Sequence, residues 1–157
     1  MNLQHYLQEQ LEFWHGTLDE MVRECDAATL HRTAEGSTAN TIAATYAHVV
    51  LFEDFFVQTK LREQPATLFE REGWGDRTGA APSGWPPLQT PEWSAGLRLD
   101  PATFAPYAAR VYEATDAYLR GLADDDLEAT KMGLFRESTV GRMLMAGVYA
   151  HAVSHAG

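Results

Sequence analysis

The amino-acid sequence predicts an all-α protein, a four-helix bundle with a long crossover between its second and third helices. Three observations support this: apolar residues recur at helical spacing in four long segments, residues 63–100 are rich in Trp, Pro and Gly, and neither internal repeats nor alternating βαβ units occur. The chain has 157 residues, of which 45% are apolar. This length and composition are typical of one globular domain, so residues 1–157 are expected to form a single domain.

The first two helices are predicted from apolar stripes and from a capping cluster. The first, over about residues 2–26, carries a stripe at 4-4-3-4-3-4 spacing: Leu3, Leu7, Leu11, Trp14, Leu18, Met21 and Cys25. Residues 37–40 (Ser-Thr-Ala-Asn) can cap a helix N-terminus with a side-chain oxygen. The run from Thr41 to Leu61 then contains neither Gly nor Pro and predicts the second helix.

Residues 63–100 cannot form a long helix or a central strand. They contain five of the seven prolines and five of the twelve glycines. They also contain three of the four tryptophans, which a disordered linker would rarely carry. We therefore predict an ordered crossover, anchored by tryptophans, that covers one end of the bundle as a lid.

The third and fourth helices follow the crossover. Asp100-Pro101 predicts an N-cap followed by Pro at the first helical position, and Gly121 ends the third helix. The acidic run 124–126 is interpreted as a solvated turn, because a calcium loop needs spaced ligands and Gly. The fourth helix is predicted from about Ser138 to the end, with glycines that permit close packing and this stripe at 4-4-3-4 spacing: Val140, Leu144, Val148, His151 and His155.

The charge and the cysteine count exclude several classes of function. With 22 acidic residues against 12 Lys and Arg, the net charge is −10, so nucleic acid and anionic membranes are not expected as partners. Cys25 is the only cysteine, so an internal disulfide is impossible and a metal site must use His and carboxylates. The N-terminus does not have the pattern of a signal peptide and no apolar run is long enough to span a bilayer, which predicts a soluble, cytoplasmic protein.

Two of the six histidines have the spacing of metal ligands. His151 and His155 are one helical turn apart on the core-facing stripe, so both could reach one ion. The same pattern also fits two ordinary hydrogen-bonded histidines. His48 lies inward on the second helix, where a third ligand or a satisfied core histidine would both fit.

The remaining histidines and several familiar motifs give no alternative site. His5, His15 and His31 are predicted to be surface residues. His151 is followed by Ala152, so the H-E-x-x-H metalloprotease motif is absent, as are the G-x-S-x-G, P-loop and G-x-G-x-x-G motifs. The paired Glu-x-x-His motifs of ferritin-like di-iron bundles are also missing. A mononuclear His site is the hypothesis that remains.

Three stretches give the chain a resemblance to the DinB-like superfamily of small bacterial metal-binding proteins. Residues 41–48, which end in a histidine and are followed by Glu53, resemble the family's second-helix "aHl…wE" pattern. Residues 122–127 resemble the exit of its third helix. Residues 139–144 and 151–157 are similar to its "tvgelL…HxxxHxG" ending. Each motif is short, and their order and spacing carry the resemblance.

The resemblance implies a ligand set and a metal. It implies that His48, His151 and His155 hold one divalent transition metal ion, usually Zn²⁺ or Ni²⁺, with open positions for water. Arg142 stands where the family often has Glu, a departure that affects helix capping more than chemistry. Glu53 lies about 140° around the helix from His48, so we interpret it as a structural residue that pairs with another helix.

The resemblance also implies a range of activities on a small-molecule substrate. Members include S-transferases and an isomerase that depend on a low-molecular-weight thiol, which favours metal-activated thiol transfer over hydrolysis by a metal-bound hydroxide. A metal or small-molecule sensor without turnover, and a structural bundle with three satisfied histidines, are the alternatives. The family further implies a homodimer and a role in bacterial stress response.

Overall fold

The computed structural model describes residues 2–33 and 40–156, which are mainly helical, as the sequence predicts. The regular elements, in chain order, are α1 (Leu3–Glu24), α2 (Ala27–Leu30), α3 (Ile42–Phe55), α4 (Leu68–Arg71), α5 (Trp74–Thr78), α6 (Pro91–Gly96), α7 (Pro101–Arg120), α8 (Asp124–Glu128), β1 (Thr130–Met132), β2 (Glu137–Thr139), α9 (Val140–Met143) and α10 (Ala150–Ala156). Two π-helical segments complete them: Phe56–Leu61 continues α3, and Leu144–Tyr149 joins α9 to α10.

Four long helical segments dominate the described part of the chain, and they agree with the four predicted helices. Helix α1 contacts α3, α7 and the C-terminal segment, and α3 contacts both α7 and α10. The first of two apolar clusters is formed mainly by α3 and α7 with the crossover, and the second by α1, the π-helical end of α3 and the C-terminal segment. These contacts bring the middle of α3 against α10.

The buried face of α1 differs from the predicted stripe at its first residue and in its second half. The structure buries Leu7, Leu11, His15, Leu18 and Val22, whereas Leu3 and Met21 of the predicted stripe are exposed. The observed spacing is 4-4-3-4, so the stripe passes through His15 and Val22 instead of the neighbouring Trp14 and Met21. The prediction failed here because it followed hydrophobicity alone, and His15 has a polar partner inside the core.

The second predicted helix is confirmed to its end at Leu61, although its last turns are π-helical. Of the predicted capping cluster, residues 37–39 lie outside the described part of the chain. The observed N-cap is Thr41, whose side chain accepts a hydrogen bond from the Ala44 N–H at 3.1 Å. The predicted fourth helix is confirmed from Val140 to Ala156, with Thr139 as its N-cap; Gly157 of the family's ending lies outside the described residues.

The crossover is ordered, as predicted, and it contains α4, α5 and α6. Trp74 is buried in the core, and Trp85 stacks on Phe55 at 6.0 Å between ring centroids. The Trp93 indole N–H donates a 2.6 Å hydrogen bond to the Ala81 carbonyl. Tryptophans therefore anchor the crossover to the helices and to itself.

Two short features between residues 124 and 139 differ from the prediction. The acidic run 124–126 is exposed but forms the first turn of α8, where negative charge is favourable, and Asp126 accepts a 2.7 Å hydrogen bond from the Ala123 N–H. Strands β1 and β2 form an antiparallel hairpin that pairs Thr130 with Thr139 and Met132 with Glu137. Segments of three residues are too short to show the alternation that predicts a strand.

Asp54 joins the crossover to the helices from a fully buried position. Its carboxylate accepts hydrogen bonds from the backbone N–H groups of Leu68 and Phe69, both at 2.9 Å. The Tyr107 hydroxyl donates a third bond to it at 2.8 Å. One side chain of α3 therefore satisfies the free donors at the start of α4 and fixes α7 beside them.

We expect Asp54→Ala to lower the free energy of unfolding by about 2–4 kcal/mol, because it leaves three buried donors without an acceptor. Urea unfolding followed by circular dichroism measures the change. Asp116→Ala is the matched control, since it removes only an exposed ion pair with Arg120 and should cost less than about 0.5 kcal/mol. Equal losses in the two variants would contradict the anchoring role of Asp54.

Candidate metal centre

The structure brings together the three histidines that the sequence analysis selected. His48 projects from α3, and His151 and His155 project from α10 one turn apart. One nitrogen from each ring lies within 4.8 Å of the corresponding nitrogens of the other two. The Nε2 atoms of His48 and His151 are only 3.1 Å apart, although they lie 103 residues apart in sequence. Among the described residues, no other group of three His, Cys, Asp or Glu side chains meets this criterion.

A close crossing of two helices allows this arrangement. The ring of Phe56, at the start of the first π-helical segment, packs directly against Gly147 in the second. A Cβ added to Gly147 would overlap that ring, so only glycine permits this approach. The crossing lies one turn before His151 and about two turns after His48. Insertions of π-helix are frequent at functional sites because they redirect the side chains that follow.

Aromatic stacking fixes the His151 ring. Phe52 stacks on His151 with ring centroids 4.0 Å apart and an interplanar angle of 21°. Phe52 in turn stacks on Phe56 at 5.8 Å. This column of three rings runs from the helix crossing to the histidine cluster, so the packing at Gly147 also determines how His151 is oriented.

The surroundings keep the cluster uncharged. Burial, and to a smaller extent the neighbouring His155, lowers the pKa of His48 from 6.5 to about 4. Burial and the two neighbouring imidazoles lower the pKa of His151 to about 3. Burial also lowers the pKa of His155, the most exposed of the three. Three neutral imidazoles at neutral pH present lone pairs, which is the protonation state that metal binding requires.

The crossover reaches the cluster beside His48. The Nδ1 atom of His48 is buried and has no hydrogen-bond partner within the described part of the chain. The Pro87 carbonyl of the crossover acts on the His48 side chain as a backbone acceptor and opposes the lowering of its pKa. Gln89 Nε2 donates a 3.0 Å hydrogen bond to Thr45, one turn before His48. The crossover therefore covers this side of the cluster.

The other histidines lie elsewhere, and one of them corrects the prediction. His5 is exposed and pairs with Glu9, and His31 is half-buried and accepts a hydrogen bond from the Leu99 N–H at 3.0 Å. His15, predicted on the surface, is only 8% exposed. Its Nε2 lies 2.9 Å from Glu53 Oε2, and its ring stacks on Tyr112 at 3.7 Å.

Glu53 links three helices and does not join the histidine cluster. Besides His15 of α1, it accepts a 2.6 Å hydrogen bond from the Thr115 hydroxyl of α7. Both carboxylate oxygens of this 2% exposed side chain are thus used in structural contacts. The interpretation of Glu53 as a structural residue is confirmed. The pairing of Glu53 with His15 could have been suspected from the sequence, because His15 falls four residues after Leu11 and three before Leu18, which is a buried position on α1.

The DinB superfamily's sequence profile matches residues 10–157, so the chain belongs to the DinB superfamily. Among solved structures, the fold is similar to that of a conserved protein from Enterococcus faecalis, with a TM-score of 0.82 and 17% sequence identity. That similarity covers the whole of this chain and 92% of the other, and at this identity it concerns the fold alone. No curated protein matches the sequence significantly.

No helix within residues 2–33 and 40–156 is both long and apolar enough to cross a membrane.

The close contact between Gly147 and Phe56 predicts that one methyl group added at Gly147 lowers stability. We expect Gly147→Ala to lower the free energy of unfolding by about 1–3 kcal/mol, since the new Cβ overlaps Phe56. The double variant Gly147→Ala/Phe56→Leu should recover part of the loss in a double-mutant cycle measured by urea unfolding.

The exposed Gly16 of α1 is the matched control. A Cβ there meets nothing within 4 Å, so Gly16→Ala should raise stability by up to about 1 kcal/mol. If both glycine variants had the same effect, the close crossing would be refuted.

The lowered pKa values predict acid sensitivity of the metal-free protein. A histidine whose pKa falls from 6.5 to about 4 on folding is protonated more in the unfolded chain, so stability is lost as the pH falls between these values. For His48 the loss between pH 7 and pH 5 is about 2 kcal/mol. Urea unfolding in the presence of a chelator at both pH values measures it.

His48→Gln should reduce this pH dependence, while His5→Ala, outside the cluster, should retain it. A variant lacking His48 that keeps the full pH dependence would disprove the assignment.

Proposed function

We propose that the protein is a metal-dependent enzyme in which His48, His151 and His155 hold one divalent transition metal ion, and that it transfers a low-molecular-weight thiol to a small electrophilic substrate. The observation that carries the proposal is the 3.1 Å contact between the Nε2 atoms of His48 and His151, with His155 beside them. Membership of the DinB superfamily supports it independently.

The donor set fits a transition metal ion. Zn²⁺ binds imidazole nitrogen at about 2.0–2.1 Å, so two nitrogens on a tetrahedral ion lie about 3.3 Å apart, close to the separation of the His48 and His151 nitrogens. Imidazole suits Zn²⁺, Ni²⁺ and related ions, whereas Mg²⁺ and Ca²⁺ prefer oxygen ligands. A neutral ligand set also leaves the full charge of the ion available to a bound anion.

His48 has a candidate partner for the ring nitrogen that would not hold the metal. Metal-bound histidines donate their other ring N–H to a carbonyl, carboxylate or water. The Nδ1 of His48 is buried without a hydrogen-bond partner among the described residues, and the Pro87 carbonyl of the crossover acts on the same side chain as a backbone acceptor. We therefore propose that the Pro87 carbonyl accepts the Nδ1–H hydrogen bond that orients a metal-bound His48.

The chemistry of the neighbouring residues favours thiol transfer. When bound, such an ion supplies a positive charge that lowers the pKa of a coordinated thiol or water. Hydrolysis would benefit from a nearby general base, but the buried carboxylate closest in sequence to His48, Glu53, is occupied by His15 and Thr115. A thiolate is already a strong nucleophile and needs no such base.

Metal-dependent hydrolysis and metal or small-molecule sensing are the alternative functions that experiment must distinguish from thiol transfer. A homodimer that acts in a bacterial stress response completes the proposal and rests on the family resemblance, and its cytoplasmic location rests on the sequence pattern of the N-terminus and of the apolar runs.

Metal analysis tests the site. Purified protein should bind about one equivalent of Zn²⁺ or Ni²⁺ by elemental analysis and titration, and His48→Ala and His151→Ala should each weaken binding by more than about 100-fold. His5→Ala, which removes an exposed histidine outside the cluster, should bind as the parent does. A parent protein that remains metal-free in excess Zn²⁺ would overturn the proposal.

A thiol panel then tests the chemistry. Adding low-molecular-weight thiols to Co²⁺-loaded protein should produce a thiolate-to-metal absorption band and should accelerate the loss of a model electrophile. No spectral change with any thiol, combined with ester or amide hydrolysis by the loaded protein, would favour the hydrolase. No turnover of either kind would favour a sensor.

A further inference from the structure

A separate pocket of about 270 Å³ opens beside the histidine cluster. Its floor is formed by Phe52, Phe56 and His151, and its outer wall by the turn of the β1–β2 hairpin at residues 133–136. The C-terminal helical segment supplies the remaining side through Met143 and its neighbours. We propose that this pocket binds the electrophilic substrate of the proposed reaction and selects a small molecule with a flat apolar body and a carboxylate or similar anionic group.

The apolar body is inferred from the walls. Phe52 presents a ring that is already stacked on His151, so a molecule that packs on Phe52 lies next to the histidine cluster. Phe135, at the hairpin turn, is 94% exposed, an unusual position for a large aromatic residue that no described contact explains. A ligand in the pocket would cover part of this ring and gain from its burial.

The anionic group is inferred from two arginines. Arg136 and Arg142 both line the pocket, and neither has a carboxylate within 4.0 Å among the described residues. Both side chains are exposed, so their guanidinium groups can reach an anionic group of a molecule held in the pocket. The planar guanidinium matches a carboxylate with two parallel hydrogen bonds.

The size and position of the pocket limit its occupant. Pockets for drug-sized ligands are about 300–1,000 Å³, so this one suits a smaller molecule. A larger cleft of about 500 Å³ lies between α1 and α7, but His48, His151 and His155 do not line it, and its rim carries Glu9, Glu12 and other acidic residues. Of these two cavities, the smaller one joins apolar walls, two arginines and a histidine of the cluster.

The experiment compares two probes with the same apolar body, one carrying a carboxylate and the other a neutral amide of similar size. Isothermal titration calorimetry with naphthalene-2-carboxylate and with the neutral 2-naphthamide measures the affinity of the parent protein and of its variants for each probe. The parent should bind the carboxylate at least about tenfold more tightly than the amide, and Arg136→Ala/Arg142→Ala should remove this preference while leaving amide binding unchanged. Phe135→Ala should weaken both probes alike by about threefold or more. Arg23→Ala, an exposed arginine far from the pocket in sequence and paired with Glu20, is the control and should bind both probes as the parent does.

The variants alter exposed side chains, so unchanged thermal unfolding is expected and verifies their folding. Equal affinities of the parent for the two probes, no measurable binding of either, or a carboxylate preference that survives in the double arginine variant would each overturn the inference. The inference rests on the proposed function. Titrations with metal-loaded and with chelator-treated protein therefore distinguish a failure of the pocket from a failure of the metal site. If the protein binds no metal but binds the carboxylate in an arginine-dependent way, the pocket is supported and the proposed enzyme is refuted.

Discussion

The crossing of α3 and the C-terminal segment at Phe56 and Gly147 is the constraint on which the candidate centre depends. Because glycine has no side chain, the Phe56 ring can lie against the backbone of the opposing segment. The same contact starts the column of rings through Phe52 that orients His151. The two π-helical segments meet at this point, so changes in helical pitch and the placement of the histidines have a common origin in packing.

Buried carboxylates support the centre without entering it. Glu53 ties α1 and α7 to α3, and Asp54 ties the crossover and α7 to the same helix. Both side chains are committed to these hydrogen bonds, and among the described residues the cluster consists of imidazoles alone. A neutral nitrogen site with an apolar pocket on one side differs from an acidic metal site in the anions that it can attract. Arg136 and Arg142, which line that pocket, strengthen the difference.

Much of this arrangement could be predicted from the sequence, because helical periodicity reports which face of a helix is buried. The spacing of Val148, His151 and His155 indicated their common face, and family resemblance added His48 from a helix 103 residues away. What could not be predicted depends on contacts between distant segments. The burial of His15 depends on Glu53, which lies 38 residues further along the chain. The contact of Phe56 with Gly147 joins two segments that are far apart in sequence, and the β1–β2 hairpin is too short to leave a periodic signal.

X-ray absorption spectroscopy of the Zn²⁺-loaded protein examines the three-histidine site itself, because it reports the number and type of the atoms bound to the ion. We expect three imidazole nitrogens at about 2.0–2.1 Å with the multiple-scattering signature of histidine rings, completed by light-atom ligands from solvent. Fewer imidazoles, or a sulfur ligand at about 2.3 Å from Cys25 in the absence of added thiol, would contradict it.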